Sequence, residues 1–197
     1  MAAPVVLTAL RRERPGRVAL ELDGRPWRVV PDEVALAAAL RPGLVLDRVA
    51  LRRLRRELRR VEAMEAAARA LSHRELARER LEERLVRAGV PAGDRERTLE
   101  SLERVGLVDD GRLARSRAAA LAARGWGDEA ISARLEAEGI RDEERRDALA
   151  ELACEPDRAA EIARHEAERG RAAALLARRG FAGDSIEAAV GFLDADG

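Results

Sequence analysis

Seven arginines, Arg48, Arg52, Arg53, Arg55, Arg56, Arg59 and Arg60, crowd thirteen positions of the chain, and only Glu57 opposes them there. A guanidinium stays charged at any biological pH, and its planar fork matches phosphate and carboxylate oxygens. The chemistry such a run supports is recognition of a polyanion rather than bond making. Arginines on a helix are also the ordinary way to solvate one face, so that reading stands beside it. Other reactive side chains are sparse. Asp109-Asp110 is the one notable acidic pair, and its place just before a helical stretch marks an N-cap more simply than a metal or acid–base site. His73 falls in the first turn of an expected helix, and His165 falls mid-helix between Arg164 and Glu166. Both read as surface residues. Cys154, the single cysteine, cannot form an internal disulfide and reads as a small core residue among Leu149, Leu152 and Ala153. No glycine-rich phosphate loop, zinc-spaced Cys/His cluster or nucleophile elbow is present, so no catalytic residue, cofactor or metal is expected. Arg124-Gly125-Trp126-Gly127 is a loop carrying an exposed-looking aromatic between two helices. That composition suits either a contact point or local packing.

The elements that position these groups follow from composition and periodicity. Among the 197 residues 38% are charged and 2% aromatic, with no tyrosine, a mix that favours helix. Residues 1–60 carry 14 arginines against 7 acidic residues, whereas residues 61–197 carry 23 against 30, giving a basic head and an acidic body. In the head, Val18, Leu20 and Leu22 alternate with other residues, Asp23-Gly24 follows, and Trp27 and Val29 resume the alternation, which predicts a hairpin. Val5–Leu10 adds a third strand, and Asp32–Leu40 predicts a short helix closed by Pro42-Gly43. From Asp47, an N-cap, a helix runs with Leu51, Leu54, Leu58, Val61, Met64, Ala68 and Leu71 on one stripe. The arginine run occupies its other faces.

The acidic body repeats itself. Leu71, Leu81, Leu85, Gly89, Val90, Leu99 and Leu102 recur fifty residues later as Leu121, Ile131, Leu135, Gly139, Ile140, Leu149 and Leu152. A third copy, forty-one residues further on, matches Leu176, Gly180, Phe181, Val190 and Leu193 and lacks part of the first helix. Gly89, Gly139 and Gly180 stop helices, since glycine accepts the left-handed conformation that ends them. Asp94 and Asp184 are expected to cap the third helices of their repeats, and Ser72 with Glu75 has the capping-box pattern for a second helix. The fold class is therefore mainly α: three tandem three-helix repeats forming an elongated curved rod, with a small β-hairpin-containing N-terminal module. The expected boundaries are 1–47 for the β-containing module, 48–108 for the basic linking helix and first repeat, 109–155 for the second repeat, and 156–197 for the third, degenerate one. No run of ~20 uncharged apolar residues occurs and Met1–Leu10 lacks the secretory layout, so a cytoplasmic, non-membrane protein is expected.

Gly106-Leu107-Val108-Asp109-Asp110, Leu113-Ala114, Gly125-Trp126-Gly127, Ile131, Leu135 and Gly139-Ile140 resemble the central signature of the RecX family. Ala70–Leu76 and Leu81–Gly89 resemble the first repeat of that family, and Val18–Gly24 with Leu40–Leu46 its N-terminal extension. Leu113 and Arg117 stand where aromatics are usual, and Asp128-Glu129-Ala130 replaces a more typical proline and basic residue. The resemblance implies a regulator whose partner is the RecA recombinase filament, and a non-enzymatic monomer is expected. It also implies that tandem repeats lodge in the filament groove and inhibit strand exchange, ATP hydrolysis and co-protease activity, in DNA repair, homologous recombination and the SOS response. With that family in view, the expected partner-binding residues are Arg52, Arg53, Arg56, Arg59, Arg60, Arg124 and Trp126, the basic N-terminal region meeting single- or double-stranded DNA or an acidic filament surface. The rival reading is a stand-alone DNA-binding helical protein, against which the acidic body argues.

Overall fold

The computed structural model describes residues 4–166 and 168–191. It divides into two compact units, one made of Met1–Ala70 with Arg84–Thr98, the other of Leu71–Glu83 with Leu99–Gly197. It is mainly helical, with a small antiparallel sheet confined to the N-terminal segment.

In the first unit, β1 (Val5–Arg14), β2 (Arg17–Leu22), β3 (Arg25–Pro31) and the two-residue β4 (Val45–Leu46) form a sheet in the order β3-β2-β1-β4. The β2–β3 hairpin turns at Asp23-Gly24, both left-handed (φ 50° and 72°), the conformation that a two-residue turn matching strand twist requires. Asp23 also ties this turn to β1, accepting the Val6 N–H at 2.8 Å. The alternation of β2 puts Val18 and Leu20 on the covered face, where they meet Leu7, Val30, Leu46 and Val34 of α1 (Asp32–Ala37). The strand β4 was not expected. It exists because Val45 and Leu46 reach back to pair with Val6 and Val5, a contact no local pattern signals.

Helix α2 (Arg48–Leu71) starts where Asp47 accepts the Ala50 N–H at 2.7 Å, as its position predicts. Leu54, Leu58 and Val61 seal the sheet. Beyond Val61 the buried positions become Ala63 and Ala67, while Ala68, expected on the apolar stripe, is exposed. The leucine spacing does not mark that second face, which is built from small side chains.

The remaining helices are α3 (Arg78–Arg87), α4 (Ala92–Arg104), α5 (Asp110–Ala122), α6 (Asp128–Ala137), α7 (Asp142–Ala150), α8 (Glu155–Ala163), α9 (Arg169–Arg178) and α10 (Gly183–Gly191). The repeat offsets hold at the level of helix ends. Fifty residues carry α3 onto α6, and forty-one carry α6 onto α9 and α7 onto α10. In the second unit, α5, α6 and α7 share a core of Leu113, Ala114, Ala118, Ile131, Leu135, Ile140 and Ala148. The helices α8, α9 and α10 share another of Ala159, Ala163, Ala172, Leu176, Phe181 and Val190. Leu193, matched in the third copy, lies outside the described residues. Gly139 and Gly180 end α6 and α9 at φ 80° and 72°.

Several capping assignments are corrected by the fold. The Ser72/Glu75 box does not open a helix: residues 72–77 are irregular and α3 begins at Arg78, whose N–H is accepted by Asp110 at 2.8 Å. A carboxylate thirty-two residues away displaces the local cap. Asp94 lies inside the first turn of α4 rather than before it, and is buried with its carboxylate taken by Arg59 and Arg97. Asp184 likewise sits within the first turn of α10. Asp109 does cap α5, accepting the Arg112 N–H at 2.8 Å. Cys154 is exposed, not a core residue, because it occupies the N-cap position of α8, outside the helix's apolar face. His73 is exposed in the irregular segment, and His165 is exposed just past the end of α8 rather than mid-helix.

Candidate polyanion interface

The three leucine-type anchors of α2 lie on one side of the helix, so residues spaced around the opposite side must face water. Arg48, Arg52, Arg53, Arg55, Arg56, Arg59 and Arg60 are all exposed. Among the described residues Arg52, Arg53 and Arg55 make no hydrogen bond or ion pair, and Arg56 acts on Glu57 only through its field. Arg60 is different. It grips Glu57 through Nε (3.0 Å) and Nη2 (2.7 Å), which holds the Glu57 carboxyl below its usual range and the guanidinium above its own. One turn of α2 thus keeps a single acid paired within the helix and leaves its neighbours uncommitted.

Arg59 departs from this ridge. Its Nε donates to the buried Asp94 carboxylate at 3.1 Å, so the side chain is pinned toward α4. The pairing partner lies thirty-five residues on, which is why charge spacing along α2 could not separate Arg59 from the rest. The ridge is a track of fixed positive charge without an aromatic side chain, suited to phosphate or carboxylate contact that reads no base.

Arg124 and Trp126 belong to the second unit. Arg124 is exposed and makes no hydrogen bond or ion pair among the described residues. Trp126 is half-buried rather than exposed: it packs on the α5–α7 core, and the Arg134 guanidinium stacks over its ring at 4.2 Å to the centroid. Its carbonyl accepts from Arg158, which also pairs with Asp128. Burial pushes the Asp128 carboxyl up, Arg158 opposing it. The loop is therefore bound into a network, with Arg124 exposed beside it.

Two carboxylates organise this unit: Asp110, of the Asp109-Asp110 pair, and Glu155, not singled out from the sequence. Asp110 caps α3 as described, and burial raises its pKa above the ordinary 3.8. Glu155, 9% exposed, accepts the Asp128 N–H at 2.6 Å, the Ala182 N–H at 3.2 Å and the Ser185 hydroxyl at 2.7 Å. It joins the starts of α6 and α10. Arg78 and Asp128, the capped positions of α3 and α6, are fifty residues apart, so one repeat's leading helix supplies the cap for the preceding repeat's middle helix in both cases. Glu155-Pro156 at a helix start was the available signal. No group of His, Cys, Asp and Glu able to hold a metal occurs among the described residues, and no described helix is long and apolar enough to cross a membrane.

No protein-family model matches the chain. A regulatory protein RecX from Halorhodospira halophila (strain DSM 244 / SL1) is 34% identical over 142 residues, covering 67% of this chain and 88% of that protein. A crystal structure of a RecX regulatory protein superposes with a TM-score of 0.70 at 22% identity, covering 94% of this chain and 98% of the other. The crystal structure of RecX from Lactobacillus salivarius gives 0.62 at 20% identity over 70% and 97%. The signature around Gly106–Asp110 and Gly125–Gly127, the repeat geometry, and a relative this similar over most of its own length lead to one conclusion: the chain belongs to the RecX family of regulatory proteins.

Proposed function

We propose that this protein modulates, mainly by inhibiting, the recombinase, ATPase and co-protease activities of RecA in recombination and DNA repair, binding the RecA filament on DNA. In this reading residues 1–47 and the basic helix of 48–108 face the nucleic acid or an acidic filament surface. The repeats at 109–155 and 156–197, with Arg124 and Trp126, face protein. The observation that carries the nucleic-acid half is the ridge of Arg52, Arg53 and Arg56, exposed guanidiniums that no carboxylate among the described residues pairs. Charged side chains left unneutralised on a rigid helix lose little in exchanging water and counterions for phosphate. Catalysis has no place in this account, and no cofactor is invoked.

The test is DNA-dependent ATP hydrolysis by the cognate RecA while the purified protein is titrated in from far below stoichiometric amounts. Inhibition at a small molar fraction is expected. The triple reversal Arg52→Glu/Arg53→Glu/Arg56→Glu should weaken association with the DNA-bound filament and lower the slope of log affinity against log salt by about 3, one for each lost phosphate contact. An unchanged slope removes DNA contact from the ridge. No inhibition at equimolar protein removes the recombinase as the target.

A further inference from the structure

The side of α2 that carries Arg59 opens, within the first unit, on a cleft of about 620 Å³ between the sheet, the C-terminal half of α2 and the Gly89-Val90-Pro91 turn. Five arginines line it: Arg14 and Arg17 from the ends of β1 and β2, Arg28 from β3, and Arg59 and Arg69 from α2. The lining acids are Glu62 and Glu65, and Asp94 stands behind Arg59. Positive charge is therefore in excess inside a concave surface, an arrangement that focuses the protein's field and raises the local concentration of anions.

How the pairs are made matters more than the count. Arg28 spends only Nη2, on both carboxylate oxygens of Glu62 at 2.9 and 3.1 Å. Arg59 spends only Nε, on Asp94 at 3.1 Å. Arg17 spends only Nη2, on Glu65, and Arg69 lies 3.8 Å from that same carboxylate. Each of these first three guanidiniums is held in place by one nitrogen and keeps its other two for a further acceptor. The entropy of fixing a long side chain has been spent already, which leaves more of a ligand's interaction energy as affinity. Arg14 makes no hydrogen bond or ion pair among the described residues. No aromatic side chain lines the cleft, so nothing there stacks on a base, and the rest of the wall is Ala63, Ala66, Ala88, Gly89, Val90 and Pro91.

We propose that this cleft is a binding site for clustered phosphates, in which Arg14, Arg17, Arg28 and Arg59 hold adjacent phosphate groups through their uncommitted N–H donors. The ligand is recognised by its phosphates and not by a base, and it reaches the cleft either as a free nucleotide polyphosphate or as the backbone of a nucleic-acid strand. The site is separate from the ridge of Arg52, Arg53 and Arg56 and requires no recombinase.

The experiment uses the full chain and inorganic tripolyphosphate, followed by titration calorimetry at low salt. The expected result is one saturable site, weakened about tenfold in Arg14→Ala and in Arg28→Ala, as for loss of one charge-assisted hydrogen-bonding partner. Arg41→Ala, at an exposed arginine lining neither surface, and the ridge triple reversal should bind as the parent does. Arg14→Ala breaks no hydrogen bond or ion pair among the described residues, and an unchanged urea midpoint separates its effect on the ligand from one on stability. Displacement of tripolyphosphate by oligothymidylate, lost in Arg14→Ala, assigns the source to a nucleic-acid strand. Displacement by ATP and not by oligothymidylate assigns it to a nucleotide. Absence of saturable tripolyphosphate binding, or equal affinity in the parent, Arg14→Ala and Arg28→Ala, overturns the proposal while leaving the RecA reading untouched.

Discussion

Removing the Glu155 carboxylate should be among the most damaging single changes in the second unit. Its two oxygens accept three hydrogen bonds, from the Asp128 and Ala182 N–H groups and the Ser185 hydroxyl, and it is nine-tenths buried. Glu155→Ala strands three donors, two of them at the starts of α6 and α10, where no intrahelical acceptor exists. At roughly 1–1.5 kcal/mol for each lost bond, less some relief from the neighbouring Asp128 charge, the cost is about 3 kcal/mol. Glu155→Gln is no conservative swap. Its single carbonyl oxygen can serve either the Asp128 side or the Ala182/Ser185 side, and the amide then points a donor at a donor, for a loss of about 2 kcal/mol. Urea unfolding followed by helix dichroism reads both, and in a thermal scan the alanine variant should melt roughly 10–20 °C lower. A loss below about 1 kcal/mol for Glu155→Ala would refute the view that this carboxylate joins the repeats, since that is the size of a single ordinary cap.

Two further outcomes follow from the same geometry. A Cβ at Gly127 would overlap the Gly180 carbonyl and the Phe181 nitrogen, whereas one at Gly89 meets nothing within 4 Å and bears only the strain of φ 75°. Gly127→Ala should therefore cost about 3 kcal/mol or more and Gly89→Ala about 1, compared by chemical denaturation. Burial holds the Asp110 pKa above the ordinary 3.8, against the pull of the Arg78 N–H, so the native state binds that proton more tightly than the unfolded chain. Its linked stability is complete below 3.8 and is lost as pH rises through the raised value. Asp110→Asn should stay within about 0.5 kcal/mol of the parent at neutral pH, because the amide oxygen still caps α3. It should then fall behind the parent as the solution is acidified toward pH 4, and parallel stability curves would contradict this account.

Much of this architecture is legible where the determinants are local. The Asp23-Gly24 turn, the Asp47 and Asp109 caps and the glycine stops each depend on residues a few positions apart, and each is found where the spacing places it. What escapes is built from distant partners: β4 against β1, Asp110 on Arg78, Asp94 on Arg59 and Glu155 on the starts of α6 and α10. A local cap such as Ser72 loses to these because a buried carboxylate aimed by another helix satisfies the same N–H more strongly. The same division holds at the candidate site. Arg52, Arg53 and Arg56 are readable as a solvent-facing cluster from helical spacing alone. The cleft arginines come from three strands and a helix, and Trp126 reads equally as a contact point or as local packing until the Arg134 stack and the α5–α7 core are seen.

The unequal repeat periods have a geometric meaning. The helices flanking the first inter-repeat linker, α4 and α5, are 13 residues each, and those flanking the second, α7 and α8, are 9 each. Nearly all of the shortening is thus taken as four residues from each helix, close to one turn of 3.6. Trimming by a whole turn rotates an apolar stripe by only about 40°, so both helices still face their old neighbours. The middle helices α3, α6 and α9, of which the first two receive the carboxylate caps, keep the same length of 10 residues in all three copies. Length in this scaffold is therefore quantised. A designer or a lineage can lengthen or shorten the arms between repeats by turns, two helices at a time, but any other increment turns the stripes away from the cores they fill.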